Sequence, residues 1–547
     1  MSVATVSVPA PAAPGGPLTG TGVLVRFNLR RDRIALPAWV VGIAAFVLTG
    51  PYLYGNLYPT AQDRANQAAV VGANPAMKAL TGPGFGVEDY TYGAMLANEY
   101  LGFALILVAL MTTVTVVRHT RAEEETGRFE LVRASAVGRY AHLAAALLTA
   151  ALASLALGVI VAVGLGTSGV DSLDWPGSLL FGATFPVTGL VFAGVAAVTA
   201  QISAYGRAAT GLAGAAIGVA YTVRALGDVA DNGLSWLSPV GWMQQTRVYV
   251  DDRWWPLLLG VVAAVAWLTI AFILVDRRDV GAGLAAPRRG AETGSARLGT
   301  AVGFAWRLHR ATVVWWSVAI VLLAASYGSV ADVIGSYADN ESLRQMMASI
   351  GGATFVESYL SFICAILALA AAIFAIAAVR RARAEETAGR AEPVLATALS
   401  RTRWLAGHVV VALAGGVLLL ALGGLGLGLA SAATTGESRW IADLLAAQLA
   451  YAPALWATTA VAVAAFGLRP RVLWLAWAVL VWSLVAMYLG ALLQLPQWLL
   501  NLSAYQHIPR LPVAEFTAWP LVVLTLVAAG LVTAGFASFR RRDLDLG

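Results

Sequence analysis

Cysteine, lysine and histidine are scarce in this 547-residue sequence, and each scarcity excludes a kind of chemistry. Cys364 is the single cysteine, so the chain can form neither an intramolecular disulfide nor a cysteine metal cluster. Lys78 is the single lysine, and no G-x-x-x-x-G-K-[ST] phosphate loop occurs. The five histidines are scattered, without H-E-x-x-H or G-x-S-x-G patterns. We expect no catalytic site, and no cofactor or metal bound by this chain.

Charge is also scarce, because charged residues make up 12% of the chain and hydrophobic residues 59%. The formal charge of +6 comes almost entirely from arginine, which fits a GC-rich bacterial coding bias and implies no nucleic-acid partner. A bilayer core is crossed by about 20 apolar helical residues. Twelve runs of about that length occur, at 36–57, 97–117, 140–165, 178–203, 208–226, 254–275, 311–332, 358–379, 403–431, 441–467, 471–494 and 517–538. We predict an all-α polytopic membrane protein with twelve transmembrane helices in the lipid bilayer.

A charged segment occurs twice in this apolar chain. Residues 118–130 read RHTRAEEETGRFE, and residues 380–392 read RRARAEETAGRAE. An even number of spans in each half gives both copies the same orientation, so the sequence predicts two parallel six-helix repeats. Two further matches keep the register: Tyr205-Gly206 with Phe466-Gly467, and Arg277-Arg278-Asp279 with Arg541-Arg542-Asp543.

The repeat also sets the predicted domain organisation. Residues 1–18 are rich in Pro, Ala and Gly and are predicted to form a disordered cytoplasmic tail. The first transmembrane half then spans 19–279, and the second spans 301–547. Between them, residues 280–300 are Gly/Ala-rich and basic, which is typical of a flexible cytoplasmic linker.

Arginine placement predicts the orientation. Loops on the cytoplasmic side collect Lys and Arg, and arginines precede the first span, separate the second from the third and follow the last. We therefore expect a multi-pass protein of a bacterial cell membrane with both termini in the cytoplasm. Residues 19–34 mix apolar side chains with four arginines, which indicates either an interfacial elbow helix or an ordinary positive flank, with a counterpart at 301–312.

The repeated segment predicts a specific local structure. Helix periodicity places Arg121 near Glu124 or Glu125, and Arg383 near Glu386, which favours ion pairs on a solvated extension of the membrane helix. Gly127 and Gly389 are suited to end that helix. A short amphipathic helix then follows at 129–137 or 391–399, and Ser400 can cap the next span. Two such elements indicate a two-fold cytoplasmic partner, and the alternative is a positive loop copied by duplication.

Three segments carry a resemblance to a known family. TGRFELVRASAVGR and AGRAEPVLATALSR resemble the coupling-helix segment of ABC-2-type exporter permeases, and WLSPVGWMQQTRVY at 236–249 is similar to their outer connection before the last span. The six-plus-six layout resembles the fused antibiotic and multidrug exporter permeases of high-GC Gram-positive bacteria. The first copy departs from the pattern in having Gly138 where a proline often precedes the arginine.

The resemblance implies a permease without its own ATPase, which moves hydrophobic or amphipathic small molecules out of the cell. A separate homodimeric ABC ATPase would bind ATP and Mg, and each coupling helix would dock on one of its subunits. The residues that match the coupling segments are Glu123, Glu124, Gly127, Arg128, Phe129, Glu130 and Val132 in the first copy, and Glu385, Glu386, Gly389, Arg390, Glu392, Pro393 and Leu395 in the second.

Few ionisable residues lie near membrane depth. Glu99, Arg224, Asp332 and Glu357 fall near outer ends of predicted spans. An ionisable side chain at the bilayer centre has an unfavourable free energy of insertion. These four residues therefore either lie at the interface or line an outer vestibule for polar parts of a substrate. The outer segments 58–95 and 333–355 are polar enough to leave the membrane, and we expect them to form a small external cap or gate.

Two other function classes fit parts of the sequence. A proton-coupled secondary multidrug transporter of the major-facilitator type would also have two parallel six-span repeats. Against it, the loops after spans two and eight lack that family's basic motif, and no acid lies convincingly in mid-span. A membrane anchor for a cytoplasmic assembly would explain the charged loops but not twelve spans.

Overall fold

A computed structural model describes residues 16–73, 75–127, 130, 137–279, 281–285, 292–332, 355–488 and 495–543. In those residues the regular structure is helical, and twelve helical segments are long and apolar enough to cross a membrane. The predicted number of spans and the all-α class are thereby confirmed. The chain divides into two compact units, residues 1–289 and 290–547.

The first unit has six candidate spans, numbered here in chain order. Outside them lie the helix Thr21–Arg31, which precedes span 1, and a group of short helices between spans 1 and 2. Spans 1 to 6 are Ala35–Leu57, Leu101–Arg118, Ala141–Gly166, Trp175–Ile202, Gly206–Val229 and Pro256–Asp276. The short helices are Ala61–Ala73, Pro75–Leu80, Val87–Asp89 and Tyr92–Glu99, and Arg121–Glu125 follows span 2.

The second unit has the other six spans. The helix of span 8 has 33 residues, or about 50 Å at 1.5 Å per residue, so it exceeds a hydrocarbon core of roughly 30 Å. The helix is therefore longer than one membrane crossing requires, and the projection of its charged end beyond the membrane stays a prediction. Spans 7 to 12 are Ala301–Gly328, Phe355–Thr387, Arg401–Thr435, Arg439–Ala450 with Ala452–Leu468, Trp474–Tyr488 and Ala518–Arg541.

The helix before span 1 has no separate counterpart before span 7. The helix Thr21–Arg31 is capped by Asp32. Span 1 begins at Ala35 with Pro37 in its first turn, where a proline is tolerated but cannot continue an earlier helix. Residues 301–328 contain no proline and form one continuous helix. The separate elbow helix expected at 301–312 is therefore not found there, because nothing in that sequence interrupts the helix.

Small residues bring spans into close contact in each unit. A Cβ added to Gly158 of span 3 would lie 2.5 Å from the carbonyl oxygen of Gly182 in span 4. In the second unit, a Cβ on Gly467 of span 10 would lie 2.0 Å from the carbonyl oxygen of Gly535 in span 12. Backbones approach this closely only where side chains are absent. These contacts hold span 3 against span 4, and span 10 against span 12.

Candidate functional site

The repeated charged segment of the first unit starts where span 2 ends. Arg121 is buried, and its Nε and Nη2 donate to the Ala200 carbonyl at 2.9 and 2.6 Å. Its Nη2 also donates to the Ala282 carbonyl at 3.0 Å, and its Nη1 donates to Glu124 Oε2 at 2.9 Å. The predicted Arg121–Glu124 pair is confirmed, but the predicted solvation is wrong, because the end of span 4 covers this arginine.

Glu124 forms a second ion pair, with an arginine that follows span 6. Arg278 Nη2 donates to Glu124 Oε1 at 2.5 Å, and Nη1 donates to Oε2 at 2.8 Å. Arg278 Nε also donates to Gln201 Oε1 at 2.5 Å. Two parallel N–H···O bonds to a carboxylate are among the strongest side-chain contacts. One carboxylate therefore joins the ends of spans 2 and 6, with the end of span 4 beside it.

The second unit has the same pair at the repeated positions. Arg542 Nη1 and Nη2 donate to Glu386 Oε1 and Oε2 at 2.8 and 3.1 Å, and Arg383 lies 3.5 Å from Glu386. The Arg542 guanidinium lies 5.3 Å from the ring centroids of Phe466 and Phe539. Glu386 is fully buried, so its predicted solvation is also wrong. We call each carboxylate with its distant arginine, Glu124–Arg278 or Glu386–Arg542, the arginine clamp of its unit.

The neighbouring acids have partners that differ between the units. Glu123 forms an ion pair with Arg31 of the helix before span 1. Glu385 binds Arg381 at 3.1 Å and Arg390 at 2.8 Å, both within its own segment. Glu123, Glu124, Glu385 and Glu386 are therefore all occupied by arginines of the same unit.

The two predicted helix stops are confirmed. Gly127 has φ 71° and Gly389 has φ 68°, the left-handed conformation that commonly ends a helix and that favours glycine. Nothing lies within 4 Å of a Cβ added to either residue. Their glycine identity is therefore required by backbone conformation rather than by space.

Beyond the glycines, each segment presents an exposed acid. The second unit has a short helix, Ala391–Leu395, in which Ala391 is buried while Glu392 and Pro393 are exposed and Leu395 is half-buried. In the first unit Glu130 is helical and exposed. Arg128, Phe129 and Val132 lie outside the described residues. The helix expected at 391–399 thus ends at Leu395, and Ser400 caps span 9 by accepting from the Arg403 amide at 3.3 Å, as predicted.

Arg224 lies at the opposite end of the first unit, in span 5. It is fully buried and bonds Asp228 Oδ2 at 3.2 Å, while Nη2 donates to the Ala79 carbonyl at 2.9 Å. Its guanidinium also lies 4.4 Å from the centroid of Tyr221, whose hydroxyl donates to the Leu80 carbonyl at 2.7 Å. The outer segment between spans 1 and 2 is therefore fastened to span 5, and the i, i+4 spacing of Arg224 and Asp228 was a signal that sequence reasoning missed.

The other three residues expected near the outer ends have different surroundings. Glu99 accepts hydrogen bonds from Tyr54, Gln67 and Tyr90. Glu357 lies 3.4 Å from Arg439, whereas Asp332 is exposed. In the first unit Glu99 and Arg224 have different partners, and in the second unit residues 333–354 of the outer segment lie outside the described residues. In the described residues no group of three His, Cys, Asp or Glu side chains is arranged to hold a metal ion.

Comparison with known proteins identifies the family. The family model described as "Multidrug efflux system permease Rv1217c, C-terminal domain" matches residues 24–274 and 298–540. The Multidrug efflux system permease protein Rv1217c of Mycobacterium tuberculosis (strain ATCC 25618 / H37Rv) is 41% identical over 535 residues, which cover 97% of this chain and 96% of the relative. With its twelve apolar helices, this chain is a multi-pass membrane protein that belongs to the family of the multidrug efflux system permease Rv1217c.

Proposed function

We propose that this permease is the transmembrane subunit of an ATP-driven ABC exporter that moves hydrophobic or amphipathic drugs out of the cell. The observation that carries the proposal is the repeated arginine clamp, followed in each unit by an exposed acid, Glu130 or Glu392. An exposed acid next to an arginine clamp is suited to receive force from a partner, because the clamp connects it to other spans. The arginine-rich end of each unit would face the cytoplasm, at the membrane of a bacterial cell.

The contacts suggest how such force would spread in the first unit. Movement of the segment around Gly127 would pull on span 6 through Arg278 and on span 4 through the carbonyl of Ala200. It would also pull on span 5, because Glu125 Oε2 accepts from the Gly206 amide at 2.9 Å. Three spans would therefore respond to one contact, which is the behaviour required of a coupling element that biases two conformations.

The second unit offers a matching route. Glu386 connects span 8 to Arg542 after span 12, and Arg542 also lies over Phe466 of span 10. Two matched elements in one chain suit a homodimeric ABC ATPase, with each subunit docking on one element and binding its own ATP and Mg. The residues proposed to contact it directly are the exposed ones, and the clamped acids would transmit the movement.

Export from proteoliposomes that contain the permease and a candidate ABC ATPase tests this proposal. Glu130→Ala with Glu392→Ala is expected to reduce ATP-dependent drug transport at least tenfold without lowering the melting temperature. The matched control, Glu88→Ala with Glu437→Ala, removes two exposed acids away from these segments. Equal transport by the two double variants would contradict the proposed docking site.

A further inference from the structure

Glu99 is a half-buried carboxylate with three neutral partners. It accepts from the Tyr54 hydroxyl at 2.9 Å, the Gln67 amide at 3.0 Å and the Tyr90 hydroxyl at 3.2 Å. Within the described residues it forms no ion pair, whereas Glu124, Glu386 and Asp228 each bind an arginine. We call Glu99 with Tyr54, Gln67 and Tyr90 the Glu99 cage.

An uncompensated charge in this environment is costly. Burial raises the pKa of Glu99 above its ordinary value, and the three hydrogen bonds only partly oppose that rise. A carboxylate removed from water is normally paired with a cation or neutralised. In the part of the chain that the structure describes, the cage therefore lacks the positive charge that lies beside Glu124, Glu386 and Asp228.

The surroundings of the cage are aromatic. Tyr54 packs edge-on against Tyr100 with ring centroids 5.7 Å apart, and Phe46 stacks on Tyr100 at 4.8 Å. Tyr58 lies 6.1 Å from Tyr54. Ring faces attract cations, most strongly where water is excluded. A carboxylate surrounded by these rings is a chemically suitable receptor for an organic cation.

An apolar groove lies along spans 1 and 2. It is an open surface groove of about 420 Å³, with a lining from span 1 and Leu107 of span 2. Ile43 of the lining lies one helical turn before Phe46, so the groove and the aromatic cluster are neighbours along span 1. The lining residues are Ala35, Ala38, Trp39, Gly42, Ile43 and Leu107.

We propose that the Glu99 cage binds the cationic head of lipophilic organic cations, whose apolar bodies lie in the groove between spans 1 and 2. The proposal deepens the proposed function by naming a substrate class, and it rests on that function only for the claim that bound cations are exported. The cation takes the place of neutral hydrogen-bond donors and pairs with the carboxylate. Neutral and anionic compounds of the same shape lack that gain.

Equilibrium dialysis of the full chain in detergent, without an ATPase, tests the site directly. The probes are the trimethylammonium and propionate derivatives of diphenylhexatriene, which share an apolar body and differ in the sign of the charge on the head. We expect the cation to bind at least tenfold more tightly than the anion, and Glu99→Gln to abolish that preference. The control Glu88→Gln, an exposed acid in the same outer segment, is expected to change the affinity less than twofold.

A second variant keeps the test decisive if Glu99→Gln fails to fold. Tyr90→Phe retains the ring and the carboxylate but removes one neutral donor, so the cation is expected to bind at least as tightly as it does to the unmodified chain. Equal binding of the two probes, or a fivefold loss of cation affinity in folded Tyr90→Phe, overturns the proposal. The dialysis contains no ATPase, so a failure to bind the cation refutes this site and leaves the proposed function untouched. If such a chain still exports a neutral drug in a separate assay with an ATPase and ATP, the proposed function stands and only the cation site is refuted.

Discussion

Glu124 and Arg278 lie 154 positions apart and are joined by two hydrogen bonds of 2.5 and 2.8 Å. Glu386 and Arg542, 156 positions apart, are joined at 2.8 and 3.1 Å. Both carboxylates belong to the repeated charged segment, and both arginines belong to the repeated R-R-D that follows the last span of each half. In each unit, the repeated charged segment and the repeated R-R-D are therefore the two sides of one contact.

Removal of the first clamp is expected to destabilise the first unit. Glu124→Gln would leave Arg121 and Arg278 without their counter-ion, and loss of one partner from a buried pair costs about 3 kcal/mol. Thermal unfolding in detergent checks this. Asp251→Asn is the control. Asp251 pairs with Arg247 and Arg253 at a site that is partly open to solvent. These arginines lower the pKa of Asp251. A larger loss from Asp251→Asn than from Glu124→Gln would contradict the account.

The second clamp is expected to require arginine specifically. Lysine keeps the charge but cannot make two parallel bonds to Glu386 or lie flat over aromatic rings. Arg542→Lys should therefore cost about 1 kcal/mol of unfolding free energy, while Arg541→Lys, its exposed neighbour, should have no measurable effect. Chemical denaturation of both variants distinguishes them, and identical curves would show that the second bond has no energetic role.

Gly127 and Gly389, which end their helices, have room for a side chain, but their left-handed backbone conformation disfavours any residue except glycine. Gly127→Ala and Gly389→Ala would each cost about 1 kcal/mol, because an L-residue resists the left-handed conformation. Gly211→Ala in span 5, where the added Cβ also meets nothing within 4 Å, should not destabilise. Unfolding midpoints of the three variants provide the test, and a loss in Gly211→Ala equal to the others would exclude this explanation.

The rate of cleavage by a lysine-specific protease measures how firmly span 5 holds the outer segment, because Lys78 is the only lysine. Arg224 Nη1 and Nη2 contact the carbonyls of Lys78, Ala79 and Leu80 at 3.4, 2.9 and 3.5 Å. Arg224→Gln should release this backbone and accelerate the single cut at least fivefold, since cleavage tracks local opening. Arg207 is exposed at the other end of the same helix. The protease should therefore cleave the Arg207→Gln variant at the original rate.

Sequence reasoning succeeded where the signal was local or repeated. Hydropathy alone predicts the twelve spans, and the left-handed Gly127 and Gly389 follow from their place after a charged helix. The pair of Arg121 with Glu124 follows from helix spacing, but its burial does not, because the covering carbonyl of Ala200 comes from another span.

Contacts between distant segments could not be predicted. Glu99 takes its hydrogen bonds from residues 45, 32 and 9 positions away, so its surroundings depend on packing that one dimension does not contain. The continuous helix of span 7 was missed for the opposite reason. The repeat suggested an elbow there, whereas the local sequence has no break.

The most direct test is to measure which energy source, ATP or a proton gradient, drives drug transport. Inside-out proteoliposomes with the permease and the ABC ATPase proposed to drive it should accumulate a fluorescent hydrophobic drug when MgATP is added, and an imposed proton gradient alone should produce no accumulation. Drug accumulation driven by a proton gradient in vesicles that contain the permease without any ATPase would contradict the account and favour a proton-coupled secondary transporter.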